Sequence, residues 1–551
     1  MTDENYEPKT RRNGIKSAIS ASILALIWHG TKFYSPTRLP AVASTSTCVL
    51  TTTRTLVVMR SVQLFVFLVV GVNLVLGFRS FARGRSKGGS LGEPILNESH
   101  ALPEDQWFEQ FLDHFNPTET RTWKQRYFVN SDFHKKGGPV FLMIGGEGAA
   151  SPKWMVEGQW IDYARRYGAL CFQLEHRFYG KSHPTADLSI KNLVYLTSEQ
   201  ALADLAYFIE GMNLLHQIPA GTKWITFGGS YPGSLAAWSR YKYPHLVHGA
   251  MSASGPLLAK IDFQQYYVVV EDALRTHSQA CIDAVVAANR QVHIMLRHPV
   301  GQKGLAEKFK FCSPVDTQTK RNDIANLYES LASNFAGVVQ YNKDNRRSSK
   351  TSNITIGTIC DILVDEKRGT PVSRLAEMSN LLLEANKEKC FEFKYSKMIN
   401  ELCNVSWADE VAEGGRQWMY QTCTEFGFFQ TSTARPQLFS ETFPLEFFVQ
   451  QCTDVFGPKY NMHLLEAAVE RTNTIYGAFD LDVSNVVFVH GSIDPWHALG
   501  ITKSSNPRAP AIYINGTAHC ANMYPKSEND PPQLTEARER VGQLIGEWLK
   551  N

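Results

Sequence analysis

The sequence has no C-x-x-C pair and no H-E-x-x-H, the spacings that gather thiolates or imidazoles around a metal, so a metal centre has no support. It also lacks a surplus of either charge. Against 53 Asp and Glu stand 56 Lys and Arg, a formal net charge of +3 spread along the chain with no basic stripe, which argues against a nucleic-acid partner. No heptad pattern and no internal repeat is present, so a coiled coil and a solenoid are excluded. Nothing in the sequence calls for a cofactor. What remains is 551 residues of ordinary globular composition, 43% hydrophobic and 20% charged, long enough for a large core and more than one domain.

The amino-terminal region divides by pattern. Residues 1–58 are rich in Ser, Thr and Arg and read as a non-structural leader. Met59-Arg60-Ser61 and the apolar run Val62 to Gly77 then make a complete signal peptide over 59–77, with Met59 as a candidate start and Val75-x-Gly77 as a cleavage site. The alternative is a signal anchor, because Arg79, Arg83 and Arg85 follow the run. Cleavage would leave a chain with no stable membrane association. Residues 78–105 read as a linker or propeptide.

Cysteine usage agrees with export. Of ten cysteines, Cys48 lies in the leader and Cys171 sits in an apolar run as a buried strand thiol. The other eight, Cys281, Cys312, Cys360, Cys390, Cys403, Cys423, Cys452 and Cys520, crowd the second half and predict disulfides whose pairing the spacing leaves open. Four sequons, at Asn97, Asn353, Asn404 and Asn515, point to a glycoprotein of the secretory pathway, secreted or lysosomal.

The chemistry gathers around Thr226-Phe227-Gly228-Gly229-Ser230-Tyr231-Pro232-Gly233-Ser234-Leu235. Lys223 to Phe227 suits a strand, and Leu235, Ala236 and Trp238 suit a helix packing back onto a sheet. A serine on so sharp a strand-to-helix turn needs small neighbours, which is the design of a nucleophile elbow. Pro232 stands where a second glycine is expected. It is tolerated there because the first helical turn leaves its N–H groups without intrahelical partners. The N–H of Tyr231, the residue after the serine, would donate to an oxyanion. Read alone, Gly-Gly-Ser is equally an ordinary loop.

Flanking runs supply the scaffold. Gln125 to Val129, Pro139 to Ile144, Ala169 to Leu174, the elbow strand and Val247 to Ala253 predict successive strands. Thr197-x-x-Gln200 predicts a capping box before a helix that buries Leu202, Leu205, Ala206 and Ile209. Strand alternating with helix implies a wound, mostly parallel sheet. Gly145-Gly146-Glu147-Gly148 follows a buried strand, where the backbone of Gly146 could supply a second oxyanion donor; a tight turn explains the glycines as well. From 260 to 475 helical patterns take over, and strands resume at Asn485 to Val489 and Ala511 to Ile514. Such an interruption is what an inserted cap produces.

Each resumed strand runs into a candidate partner for the serine, Asp494 after the first and His519 after the second. Loops beyond the carboxyl ends of parallel strands line the site of a wound sheet, so Ser230, Asp494 and His519 can converge there. A serine hydroxyl needs an imidazole to take its proton, and the imidazole needs a carboxylate to fix its tautomer. His176 and His497 are rival bases.

Gln125-Arg126-Tyr127-Phe128, Gly145-Gly146-Glu147-Gly148, Glu175-His176-Arg177-Phe178-Tyr179-Gly180, Gly228-Gly229-Ser230-Tyr231, Arg416 to Gly427, Asp494-Pro495-Trp496 and Ala518-His519 together resemble the lysosomal prolyl carboxypeptidase family of serine peptidases. The resemblance spans roughly residues 106–548. It implies an α/β-hydrolase fold with a core in two parts, 106–259 and 476–551, around a helical, disulfide-containing cap at 260–475. It also implies exopeptidase activity, often after proline, with the family's serine, aspartate and histidine falling on Ser230, Asp494 and His519. Cys520 stands where the prolyl carboxypeptidase and dipeptidyl peptidase II branches carry a second histidine. His-Cys and Gly-Gly-Ser-Tyr-x-Gly-Ser-Leu are more similar to the thymus-specific serine protease branch, which loosens the expectation for proline. Peptides are the expected substrates, with a homodimer an open alternative. The rival functions are a carboxylic-ester hydrolase and a catalytically silent binding protein on the same fold.

Overall fold

Runs such as Val140 to Ile144 leave no polar face for water, so their strands must be covered on both sides. In the structure, a computed structural model that describes residues 91–96, 101–343, 353–408, 414–435, 438–439 and 441–550, β3 (Val140–Ile144) and β4 (Leu170–Leu174) are buried at every position. The leader and signal-peptide readings over 1–77, and the sequon at Asn97, lie outside the described residues.

With β1 (Gln106–Phe111), β2 (Thr122–Asn130), β5 (Trp224–Gly229), β6 (Val247–Ala253), β9 (Val486–Gly491) and β10 (Ala511–Ile514), these strands form one sheet in the order β1-β2-β4-β3-β5-β6-β9-β10. β2 runs antiparallel to both β1 and β4, and from β4 to β10 every neighbouring pair is parallel. This is the α/β-hydrolase fold. Alternate residues serve opposite faces. Phe141 and Met143 pack with the helix Gln159–Tyr167 and the terminal helix Pro532–Lys550, while Leu142 and Ile144 join a second apolar core on the other side.

That second core continues without a break into the helical region. Val486 pairs with Ala250, so β6 and β9 are sheet neighbours although the whole helical region lies between them in sequence. The cap includes the helices Gln279–Met295, Arg321–Gln340, Ile356–Val364, Gly415–Gln421 and Leu445–Phe456. It also holds a two-stranded parallel ribbon, β7 (Lys260–Asp262) with β8 (Gly427–Phe429), that the helical pattern did not foretell.

Disulfides join Cys281 to Cys360, Cys312 to Cys390 and Cys423 to Cys452, all within the cap. Such bonds belong to a chain folded in the secretory pathway. Cys520, counted with this group in the sequence, is instead a buried thiol whose sulfur lies 3.7 Å from the carbonyl oxygen of Ala253. Cys171 is a buried strand thiol, as its apolar neighbours predicted. No helix among the described residues is long and apolar enough to cross a membrane.

The expected capping box at Thr197 is half formed. Thr197 Oγ1 accepts the N–H of Gln200 at 3.1 Å, but the Gln200 side chain turns outward, accepting the His114 N–H and donating to Asp113. It thereby ties the chain after β1 to the start of the helix Ser198–Leu215.

Candidate active site

β5 ends at Gly229, and Ser230 enters the helix Tyr231–Lys242 with φ 67° and ψ −134°. A non-glycine residue held there costs about 1–3 kcal/mol and persists only where its surroundings impose it. Those surroundings are close-packed backbone. A Cβ added to Gly228 would lie 2.0 Å from the carbonyl oxygen of Pro232, and one on Gly146 would lie 2.4 Å from Pro232 Cγ. Only glycine lets the loop after β3 press against the elbow in this way. Pro232 occupies the first helical turn as expected, and Tyr231, the first helical residue, has an N–H with no acceptor inside the helix.

His519 and Asp494 stand beyond the ends of β10 and β9, and both are fully buried. His519 Nδ1 is 2.8 Å from Asp494 Oδ1, and the same oxygen accepts the Trp496 N–H at 3.0 Å, capping the short helix Pro495–Leu499. Burial pushes the His519 imidazole down, but the Asp494 charge and hydrogen bond outweigh it and hold it well above its ordinary value. Burial likewise pushes the Asp494 carboxyl up, and the His519 charge and hydrogen bond hold it below the usual range. Nδ1 is thereby engaged by the carboxylate. Nε2, the nitrogen that would serve a nucleophile, is buried without a hydrogen-bond partner among the described residues.

The end of β6 stitches the serine to this pair. The carbonyl of Ala253 accepts the Ser230 N–H at 2.9 Å and the Cys520 thiol at 3.7 Å, and Ser254 Oγ accepts the Cys520 N–H at 2.9 Å. A Cβ on Gly229 would meet the Cys520 sulfur at 3.0 Å. The residue before the serine thus touches the residue after the histidine.

Comparison with known proteins agrees with this construction. The family model described as serine carboxypeptidase S28 matches residues 110–541. The chain belongs to the serine carboxypeptidase S28 family. It is therefore a serine peptidase, and its substrates are peptides. It is 37% identical to the thymus-specific serine protease of Mus musculus over 462 residues, covering 82% of this chain and 88% of that protein. To the lysosomal Pro-X carboxypeptidase of Homo sapiens it is 28% identical over 458 residues, 81% of this chain and 88% of that one. The higher identity falls on the branch to which the His519-Cys520 pair pointed. Among solved structures, a proline iminopeptidase from Mycobacterium smegmatis aligns over 81% of this chain and 99% of its own, with 12% identity and a TM-score of 0.36.

Within this S28 peptidase the two rival histidines have other work. His176 is buried, its Nδ1 2.7 Å from the Arg177 carbonyl oxygen and its Nε2 3.1 Å from the Tyr231 hydroxyl; burial lowers it to about 4. His497 turns its Nδ1 to the Asp494 carbonyl oxygen at 2.7 Å. The Glu175 to Gly180 motif is chiefly a buried ion network. Arg177 grips Asp204 through two bonds of 2.6 Å, and Arg126 is paired with Glu175.

Three residues at the site had no separate signal in the sequence. The Gln340 carbonyl accepts the His519 N–H at 3.0 Å, while its side-chain oxygen accepts from the Tyr266 hydroxyl at 2.7 Å and from Trp496 Nε1 at 3.0 Å. Gln421 donates to the Tyr231 hydroxyl at 3.2 Å. Glu425, in the π-helical turn Thr422–Phe426, accepts both backbone and side-chain hydrogens of Ser198, yet burial raises it to about 7. Gln421 and Glu425 lie in the Arg416 to Gly427 motif, which carried a resemblance but no assigned role.

Proposed function

We propose that this S28 serine peptidase is an exopeptidase that works through Ser230, His519 and Asp494. In the first step Ser230 Oγ attacks the substrate carbonyl carbon as His519 Nε2 takes its proton, while Asp494 keeps Nδ1 protonated and the imidazolium stabilised. The N–H groups of Tyr231 and Gly146 hold the oxyanion. His519 then gives its proton to the leaving amine, and water, deprotonated by the same nitrogen, releases the acyl group from the serine. The observation that carries this reading is the buried His519–Asp494 pair at 2.8 Å, with Nε2 left without a partner among the described residues, joined to the backbone-strained Ser230 through the Ala253 carbonyl that accepts from both the Ser230 N–H and the Cys520 thiol. The cap lies over the same end of the sheet and restricts entry to short peptides or chain ends. Cleavage after proline is the specificity to test first, and secretion or lysosomal delivery the destination, with glycans on Asn97, Asn353, Asn404 and Asn515. Asn353, Asn404 and Asn515 are exposed.

Labelling with a fluorophosphonate, followed by mass spectrometry, tests the nucleophile. The adduct is expected on Ser230, and an adduct elsewhere, or none on an enzyme that still cleaves peptides, refutes the assignment. A peptide library that is cut internally with no preference for chain ends refutes the exopeptidase reading alone.

A further inference from the structure

Trp496 belongs to the core by sequence and to the cap by contact. It follows Asp494 by two residues on the short helix Pro495–Leu499, yet its indole is buried against three cap rings, Phe263, Tyr266 and Phe428, at centroid distances of 5.5, 5.8 and 5.4 Å. An indole N–H enclosed in that way needs an acceptor. It finds one in the side-chain oxygen of Gln340, at 3.0 Å. The same oxygen accepts the Tyr266 hydroxyl at 2.7 Å, and the Gln340 amide nitrogen donates to the Tyr341 hydroxyl at 2.9 Å. A flipped amide would turn its NH₂ on an indole that can only donate, so the orientation is fixed.

The main chain of Gln340 ends the helix Arg321–Gln340. The last carbonyls of a helix have no intrahelical partner, and that of Gln340 accepts the His519 N–H at 3.0 Å. One cap residue is thus bonded to both loops that carry the acid–base pair, to the aspartate loop through its side chain and to the histidine loop through its main chain. Asp494 Oδ1 sits between the two attachments, accepting the Trp496 N–H at 3.0 Å and facing His519 Nδ1 at 2.8 Å. The loops are also joined at their bases, where the Thr517 carbonyl accepts the Ile493 N–H at 3.0 Å and Ser492 Oγ accepts the Gly516 N–H at 2.8 Å. Gln340 joins them at the reacting groups.

We propose that Gln340 is a positioning residue for the peptidase: by bonding to both loops it holds the His519 imidazole at the distance and tilt from Asp494 that proton transfer needs, so that the cap completes the acid–base pair as well as covering it. It acts through His519 and Trp496 and on no atom of the substrate. This rests on Ser230, His519 and Asp494 as the reacting groups and adds to them a support from the other half of the molecule.

The test uses the full-length enzyme. Gln340→Met keeps the length of the side chain and removes its polar atoms, Gln340→Glu keeps an oxygen to accept from Trp496 and Tyr266, and Trp496→Phe removes the indole N–H and leaves a ring in its place. The readouts are kcat and KM on a peptide, the rate of fluorophosphonate labelling of Ser230, the melting profile, and the low-field proton NMR signal of the His519 Nδ1–H, identified by its loss in Asp494→Asn. Gln340→Met is expected to lower kcat and the labelling rate together by roughly 10²-fold, the cost of misplacing a reacting group by about 1 Å, with KM little changed and the low-field signal broadened or moved upfield. Gln340→Glu should recover most of the loss, and Trp496→Phe should give a smaller loss in the same direction. A folded Gln340→Met enzyme with kcat, labelling and low-field signal as in wild type overturns the proposal. So does a rise in KM alone, or a loss of kcat that Gln340→Glu leaves uncorrected. Should Gln340→Met not fold, Trp496→Phe decides, because it strands no buried donor, and an unchanged kcat and signal there overturn the proposal. All of these leave the labelling of wild-type Ser230 standing. A wild-type enzyme that cleaves peptides without labelling at Ser230 removes the reacting groups and the proposal with them.

Discussion

The two halves of the molecule hold themselves together by different means. The core closes through strand pairing between segments far apart in the chain, and no disulfide among the described residues touches it. The cap has one two-stranded ribbon, otherwise relies on helix packing, and carries all three disulfides. A wide sheet fixes register by itself, because a one-residue slip would turn every buried side chain outward. Helices sliding on apolar faces have no such check, and cross-links that close long loops supply it. The proposed reacting groups, Ser230, Asp494 and His519, therefore sit on the half with a stiff frame, and the helices that pack over them sit on the half held by bonds between loops.

The strongest way to break this contrast is to remove chemistry without touching architecture. Ser230→Ala or His519→Ala is expected to lower kcat by roughly 10⁴–10⁶ while calorimetry shows the melting profile unchanged or slightly raised. Asp494→Asn should cost about 10⁴ and move the acid limb of the pH–rate profile. Burial lowers the imidazole, and Asp494 is the largest of the groups that raise it, with Cys520 beside it, so loss of the Asp494 charge should shift the limb to lower pH. A shift upward would show that Asp494 does not govern His519.

Architecture is tested next. Replacing Cys281 and Cys360 with serine opens a loop of 79 residues, worth about 4 kcal/mol in a chain-entropy account. Hydrogen exchange should then quicken in the helices Gln279–Met295 and Ile356–Val364 before the sheet strands respond. Equal loss of protection in β3 and β5 would mean that the halves do not behave separately.

A smaller effect sharpens the seam between them. Glu425 of the cap meets Ser198 of the core with its carboxyl raised to about 7 from an ordinary 4.5. The folded state holds that proton more tightly than the unfolded chain, so this contribution to stability is whole below about pH 4.5 and is lost as pH rises through about 7. Glu425→Gln should flatten this part of the stability–pH curve, raising stability at pH 8 relative to wild type by up to about 3 kcal/mol, as read by denaturant titration. Smallest of all, Thr197→Ala removes one cap hydrogen bond at about 1 kcal/mol with turnover unaffected.

What could be read in the sequence follows the same division. Strands buried on both faces announce themselves as short apolar runs, and β3, β4, β5, β6 and β9 fall where those runs are, as does the half-exposed edge strand β10. Ser230, Asp494 and His519 were visible because a parallel sheet gathers whatever follows its strands. The ribbon of β7 and β8 escaped notice because three-residue strands have no period to detect, and the disulfide partners because spacing does not encode approach. Gln340 was invisible for another reason: a main-chain carbonyl has no residue type to betray it.

Gln340 also has a mechanical meaning. Its main chain grips His519 while its side chain grips Tyr266 and Trp496, and it is the last residue of the cap helix Arg321–Gln340. A peptide that pushes or draws this helix lengthwise acts on a lever whose short arm ends at the imidazole. A shift of its far end would thus be felt at the His519 imidazole without any change in the sheet.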